Sequence, residues 1–166
     1  MIEALRTPRL MIRRFAPEDY DDFAAYHAHP LVRRYMPGEP MDPERAARYL
    51  ADQAVLDERE LKRWHGYAVV LTATGTVIGD VGVFLASAEE GDIGFQFHPA
   101  HHRRGYGREA MTAFLGYVFG TLDLTRVTAG CDRGNEASAA LLTRLGLRRQ
   151  TPDAVDGALR FAMTRP

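Results

Sequence analysis

Cysteine, lysine and tryptophan each occur once in this 166-residue chain, as Cys131, Lys62 and Trp64. A single cysteine excludes an intrachain disulfide and a thiolate cluster for a structural metal, which fits a reducing compartment and predicts a cytoplasmic protein with no metal. Net charge is also nearly absent, at -1, so the chain lacks the basic excess that extended contact with nucleic acid requires. No apolar run approaches the length of about 18 residues that reads as a membrane span, and the opening MIEALRTPRL has no apolar signal core. The expectation is therefore a protein with neither a nucleic-acid nor a membrane partner. Repeats, low-complexity tracts and linkers are missing as well. With 46% hydrophobic residues, residues 1–166 read as one domain around one core.

What the chain does have is concentrated in His102-Arg103-Arg104-Gly105-Tyr106-Gly107-Arg108-Glu109-Ala110. Two glycines and three arginines at a strand-to-helix turn suit an anion. Glycine lets the backbone approach closely, a helix N-terminus presents free N–H groups, and guanidinium groups take phosphate in fork geometry. A Gly-x-Gly turn alone serves equally well as a structural connection. The flanks supply the context a phosphate cradle needs. Asp92 to Phe97 alternates as a strand does, Pro99 ends it, and Ala110, Met111, Phe114, Leu115, Val118 and Phe119 recur at helical spacing. The glycine pattern is not a dinucleotide fingerprint, because no acidic ribose ligand follows about 20 residues on.

Elsewhere Leu10 to Phe15 reads as a strand, and Pro17 opens a helix that Pro30 stops. Asp42-Pro43 starts a second helix with Ala46, Ala47, Leu50 and Ala54 as its stripe. Gly66–Thr72 and Thr76–Leu85 form a hairpin around Ala73-Thr74-Gly75, and with Asp92–Phe97 an antiparallel meander. Arg126–Cys131 completes a strand-helix-strand unit. Asn135 caps a helix ending at Gly146, and Leu147–Gln150 and Ala158–Met163 are the last strands. The class is mixed α/β (α+β).

The Asp92–Pro99 strand with HHRRGYGREA resembles the acetyl-CoA-binding motif of the GNAT superfamily of N-acetyltransferases. Asn135-Glu136-Ala137-Ser138 with LLTRLGL, and the opening Thr7–Phe15 with Pro17-Glu18-Asp19 and Arg34-Tyr35-Met36-Pro37, are similar to its RimJ/RimL-type branch. The resemblance covers nearly the whole chain. It implies a mostly antiparallel sheet flanked by helices and splayed at the strand before the loop. It also implies direct acetyl transfer from acetyl-CoA to a primary amine, either a protein N-terminus or a small molecule.

Such a reaction needs a neutral amine, a stabilised oxyanion and a proton for the departing thiolate. By resemblance the oxyanion donor is a backbone N–H within Gln96 to His98, with Phe97 the first choice, and the acid is Ser138. Asp92 is placed as the base, with Glu39, Asp80, His65 and Tyr35 as rivals. The cofactor would lie against Gln96, Phe97, His98, Arg103, Arg104, Gly105, Tyr106, Gly107, Arg108, Asn135 and Ser138. Read without the resemblance, strand amides complete a ladder, Asn135 and Ser138 are helix-start residues, and Asp92 is a solvated acid. The acids at 18–22 with Glu39, Asp42 and Glu44 would suit a polycationic acceptor, although helix starts favour acids anyway. His98, His101 and His102 lack a carboxylate or cysteine at ligand spacing, and Cys131 lacks a local base. His102 and Arg103 depart from the motif, which has glutamine or arginine and, in many relatives, glycine there. Homodimers are common in the family. The competing readings are a non-catalytic acyl-CoA-binding or nucleotide-binding regulator, and a toxin acetylating aminoacyl-tRNA, which the near-neutral charge disfavours.

Overall fold

The computed structural model describes residues 2–166. One sheet runs in the order β1-β2-β3-β4-β5-β6-β8-β7. Its strands are β1 (Leu5–Arg6), β2 (Leu10–Arg14), β3 (Trp64–Leu71), β4 (Val77–Leu85), β5 (Glu90–Phe97), β6 (Arg126–Cys131), β7 (Arg148–Gln150) and β8 (Leu159–Thr164). The helices are α1 (Tyr20–His27), α2 (Pro30–Arg33), α3 (Pro43–Val55), α4 (Tyr106–Gly120) and α5 (Glu136–Arg144). Every strand pair is antiparallel except β5 with β6, the pair that α4 connects.

The middle strands β3 and β4 are apolar along nearly their whole length because helices cover both faces. On one face Tyr67, Val69, Val81, Val83 and Phe97 pack with Met111, Phe114 and Val118 of α4, and Leu142 of α5 joins them. On the other, Ala68, Val70 and Val77 meet Phe15, Phe23, Tyr26 and Leu50 from the β2 end, α1 and α3. Burying each large side chain of this kind stabilises the fold by about 1.5–3 kcal/mol, so the two layers fix the strand register firmly.

All six residues of the expected α4 stripe are buried. The stripe of α3 needs correction. Ala46 and Leu50 are buried, but Ala47 is exposed, and Gln53 is the third buried residue. Its amide N–H donates to the Trp64 carbonyl at 3.0 Å, and its oxygen accepts from the Gly66 N–H at 2.7 Å, which ties α3 to β3. The strand β3 also starts two residues earlier than expected, at Trp64. Pro30 does not merely stop α1; it opens the short α2. Among the described residues no helix is long and apolar enough to cross a membrane.

Candidate active site

The sheet opens into a V between β5 and β6. Their parallel ladder pairs only Glu90 with Arg126, Gly91 with Val127 and Asp92 with Thr128. Beyond that rung β6 stays with β8 as far as Cys131, and β5 stays with β4 as far as Phe97. The edge of β5 from Ile93 onward therefore has no strand beside it.

Strand alternation decides which groups face the opening. The His98 N–H donates to the Ile78 carbonyl at 2.8 Å. Counting back by two along an antiparallel ladder, the Gln96 and Gly94 amides also point to β4, and those of Phe97 and Phe95 point into the V. The Phe97 carbonyl lies on the same side, and His102 Nε2 sits 2.8 Å from it. A carbonyl only accepts, so this nitrogen carries the proton. The Phe97 N–H is thus left as the unpaired strand donor nearest the loop. Of the three amides named for the oxyanion, those of Gln96 and His98 point to β4 and that of Phe97 points into the V.

The loop that follows turns through two left-handed residues, Arg103 at φ 61° and Gly105 at φ 80°. Arg103 thus adopts the conformation that suits the glycine common in relatives, at a strain cost of about 1 kcal/mol. Such alternation concentrates backbone N–H groups, and α4 adds its own free first-turn N–H groups at Tyr106, Gly107 and Arg108. Arg103, Arg104 and Arg108 are exposed around this nest.

The nearest acid is held away from it. Glu109 accepts from the Thr7 hydroxyl at 2.7 Å, the Arg9 N–H at 2.9 Å and Arg9 Nε at 2.7 Å. Burial works against its charge, but these donors keep its carboxyl below the usual range. Arg9 also lies over the Tyr106 ring at 4.5 Å and donates to the Arg104 carbonyl, bracing the loop. Gly107 lets α4 close on Phe97 and Leu141: a Cβ there would stand 3.6 Å from Phe97 Cε2 and 3.2 Å from Leu141 Cδ2. An open groove of about 550 Å³ lined by Arg6, Pro8, Gly105 and Arg108 flanks the turn.

On the far arm of the V, Asn135 caps α5 by accepting the Ser138 N–H at 3.1 Å through Oδ1, which leaves its amide NH₂ unused. Asn135 and Ser138 are half-buried. Tyr35, after α2, reaches over to the β6–α5 connection, where its Cε1 would stand 3.3 Å from a Cβ on Gly134.

The structure separates the acid candidates. Asp92 sits at the closed end of the V and accepts the Thr128 hydroxyl at 2.6 Å. Five residue steps along the strand, roughly 17 Å, separate it from Phe97. His65 is buried with Nε2 2.8 Å from the Glu60 carbonyl, and Glu39 is exposed in a loop. Asp80 is the exception. It pairs in register with Gln96, is 3% exposed, and accepts from Tyr26 Oη at 2.7 Å and Gln96 Nε2 at 2.8 Å. Burial pushes its carboxyl up to about 7, although both donors oppose this.

Four acids of the N-terminal arm serve the fold, while Glu18, Asp21 and Glu39 are exposed. Asp19 takes both terminal nitrogens of Arg13, Asp22 accepts the Val77 N–H, Asp42 caps α3, and Glu44 pairs with Arg48. His29 and His98 each use Nδ1 to accept a backbone N–H, and their rings meet edge-on at 5.5 Å. The Cys131 thiol is pushed up by burial and then by Asp132, so it is a poor nucleophile. Trp64, which sequence reasoning passed over, is laid flat across β4 and β5. A Cβ on Gly82 would fall 2.3 Å from its ring and one on Gly94 3.1 Å. The Gly-x-x-Gly spacings were the available signal.

A V-shaped sheet with a free strand amide beside a basic, glycine-turned helix start is the geometry the resemblance implied, and comparison with known proteins decides the family. Residues 9–148 match the acetyltransferase (GNAT) domain. The chain belongs to the GNAT family and is an N-acetyltransferase. It is 30% identical over 154 residues to "Uncharacterized N-acetyltransferase YoaA" of Bacillus subtilis (strain 168), covering 90% of this chain and 85% of that one. A GNAT-family acetyltransferase from Bacillus anthracis shares the fold at a TM-score of 0.84 and 21% identity, covering 98% of each chain. The ribosomal-protein-S5-alanine acetyltransferase from Vibrio fischeri does so at a TM-score of 0.81 and 18% identity, covering 99% of this chain and 100% of that one. GNAT acetyltransferases use acetyl-CoA and an acceptor.

Proposed function

We propose that residues 1–166 act as one catalytic domain that moves the acetyl group of acetyl-CoA to a primary amine by direct attack inside the V. The observation that carries this reading is the unpaired Phe97 N–H beside the basic N-terminus of α4. Acetyl-CoA supplies an activated thioester and a pyrophosphate by which it can be held.

The free N–H groups of Tyr106, Gly107 and Arg108, with Arg103 and Arg104, fit the pyrophosphate, because Glu109 is occupied by Thr7 and Arg9. The open edge of β5 and the Asn135 amide fit the peptide-like arm of the cofactor, which can bond to a strand edge as another strand would. The Phe97 N–H stabilises the oxyanion. Ser138, in the first turn of α5, hands a proton to the departing sulfur. Asp92 fixes the apex of the V through Thr128, so its bearing on catalysis runs through the angle of the arms.

The acceptor is a primary amine, on a protein N-terminus or a small molecule. The shared fold with a ribosomal-protein-alanine acetyltransferase supports the first, and the engagement of Asp19, Asp22, Asp42 and Glu44 within the fold leaves fewer acids for a polycationic acceptor. The test is thermal denaturation with acetyl-CoA, with ATP and NAD as controls, followed by CoA release across an amine panel. Stabilisation by acetyl-CoA alone is expected. Equal stabilisation by ATP would favour a nucleotide-binding regulator instead.

A further inference from the structure

Under the acetyltransferase reading one buried polar assembly has no role. Asp80 projects from β4 on the α1 and α3 side of the sheet, across from Gln96, the residue just before the free Phe97 amide. Both of its hydrogen bonds land on Oδ2, one from Tyr26 of α1 and one from Gln96 of β5. Neither donor is a cation. Among the described residues Oδ1 receives no hydrogen bond, and it is not among the buried side-chain atoms sealed without a partner. A carboxylate buried without a cation is costly unless it has a task or stays protonated.

Gln96 is held to Asp80 by one end of its amide. Its Nε2 donates to Asp80, and its Oε1 is buried without a hydrogen-bond partner. His27 accepts the Met41 N–H on Nε2 at 3.2 Å and therefore carries its proton on Nδ1, which is likewise buried without a partner. Burial, and then Arg33, push His27 down, so it remains neutral near pH 7. The groups facing Asp80 are thus Tyr26 from α1, Gln96 from β5 and Tyr49 from α3, with neutral His27 behind Gln96 and Arg33 and Arg45 beyond it. Burial keeps Tyr26 and Tyr49 protonated.

We propose that Asp80, with Oδ1 free and Oδ2 held by Tyr26 and Gln96, is the group that takes the proton from the acceptor ammonium. The ammonium gives one proton to Oδ1, leaving a neutral amine and a neutral carboxylic acid. The nitrogen lone pair then forms the C–N bond at the thioester carbon, and the C–S bond breaks with its electron pair on sulfur. Ser138 gives its hydroxyl proton to that sulfur and receives the second nitrogen proton. Asp80 returns its proton to solvent after the amide leaves. The raised Asp80 carboxyl matches this work, since it lies within about one pH unit of an α-ammonium group at roughly 7.7 to 8. Gln96 and Tyr26 are positioning residues.

The experiment compares wild type and Asp80→Asn from pH 5.5 to 9.5, reading CoA release with an alanine-initiated hexapeptide and with spermidine. At pH 7 Asp80→Asn should lower kcat/KM by about 100-fold or more. The deficit should shrink as pH passes the pKa of the amine, while acetyl-CoA still stabilises the variant. A deficit under threefold, a deficit constant with pH, or loss of the acetyl-CoA shift would overturn the proposal. Should the variant not fold, ¹³C-aspartate NMR of the wild-type protein decides. The Asp80 carboxyl, assigned through its backbone, must titrate between pH 6 and 8, and titration below pH 5 overturns it. Failure of the acetyltransferase reading would look different, because the wild type would then neither bind acetyl-CoA nor release CoA with any amine.

Discussion

On the α4 side of the sheet the candidate functional groups of the loop lie between Phe97 and Arg108, within one strand end, one loop and one helix start, with Asn135 and Ser138 of α5 across the V. On the α1 and α3 side they come from Tyr26, Asp80 and Gln96, separated by 54 and 16 positions. The first assembly is local and built from backbone N–H groups, so its chemistry is written in glycine and arginine positions. The second is built from side chains that meet only because β4 lies between β5 and the elements packed on its face. A cofactor shared by many enzymes can be held by a local motif, whereas proton transfer at a particular acceptor depends on tertiary contacts.

Gly79 underlies both assemblies, and replacing it should have the largest effect. A Cβ there would stand 2.2 Å from the Gln96 carbonyl and 2.9 Å from Phe97 Cα, both backbone atoms. Gly79→Val is expected to cost about 3 kcal/mol in urea denaturation and to weaken acetyl-CoA binding as β5 is displaced. Intact binding in a destabilised variant would break the link between the two sides.

Asp80→Asn acts on one side alone, and its effect on stability has a definite sign. Burial raises the folded carboxyl from about 3.9 to about 7, so between those values the native state keeps a proton that the unfolded chain has released. Wild-type stability therefore falls as pH rises through that window. Asp80→Asn should be more stable than wild type at pH 8, by on the order of 3 kcal/mol, with the gain vanishing near pH 4. Parallel denaturation curves at the two pH values would contradict it.

On the other side, Arg104→Ala with Arg108→Ala should raise the acetyl-CoA dissociation constant roughly 30-fold at low salt, with thermal stability in the absence of ligand unchanged. Calorimetry at two ionic strengths checks this, and salt-independent affinity would mean the arginines do not meet the phosphates. Arg103→Gly is the smallest change and the sharpest. Relief of the left-handed strain should add up to about 1 kcal/mol of stability while affinity drops, which separates backbone path from charge.

The sequence carried further on the α4 side. Alternation from Asp92, the stripe of α4 and the Gly105 turn predicted strand, loop and helix, and all three stand where expected. It also set out Phe97 as the first oxyanion choice among Gln96, Phe97 and His98, and the bond of His98 to Ile78 shows that of those three amides only that of Phe97 points away from β4. The candidate base was less legible. Asp92 had the motif position but lies at the closed end of the V, bound to Thr128, while Asp80 was one of four rivals that nothing local set apart. Gln53 broke the stripe of α3 because a glutamine that bonds Trp64 and Gly66 can be buried in place of an alanine.

The sequence by itself determined the elements, the cradle and the resemblance to GNAT acetyltransferases, because helix starts, turns and strand alternation depend on neighbours within a few residues. Only the tertiary structure decided where the sheet splays, which strand amide is left free, and that Asp80 meets Tyr26 and Gln96 away from any cation. Those outcomes depend on which strands pair and on how deeply a carboxylate is buried, and neither hydrogen-bond register nor desolvation is a property of a local stretch of chain.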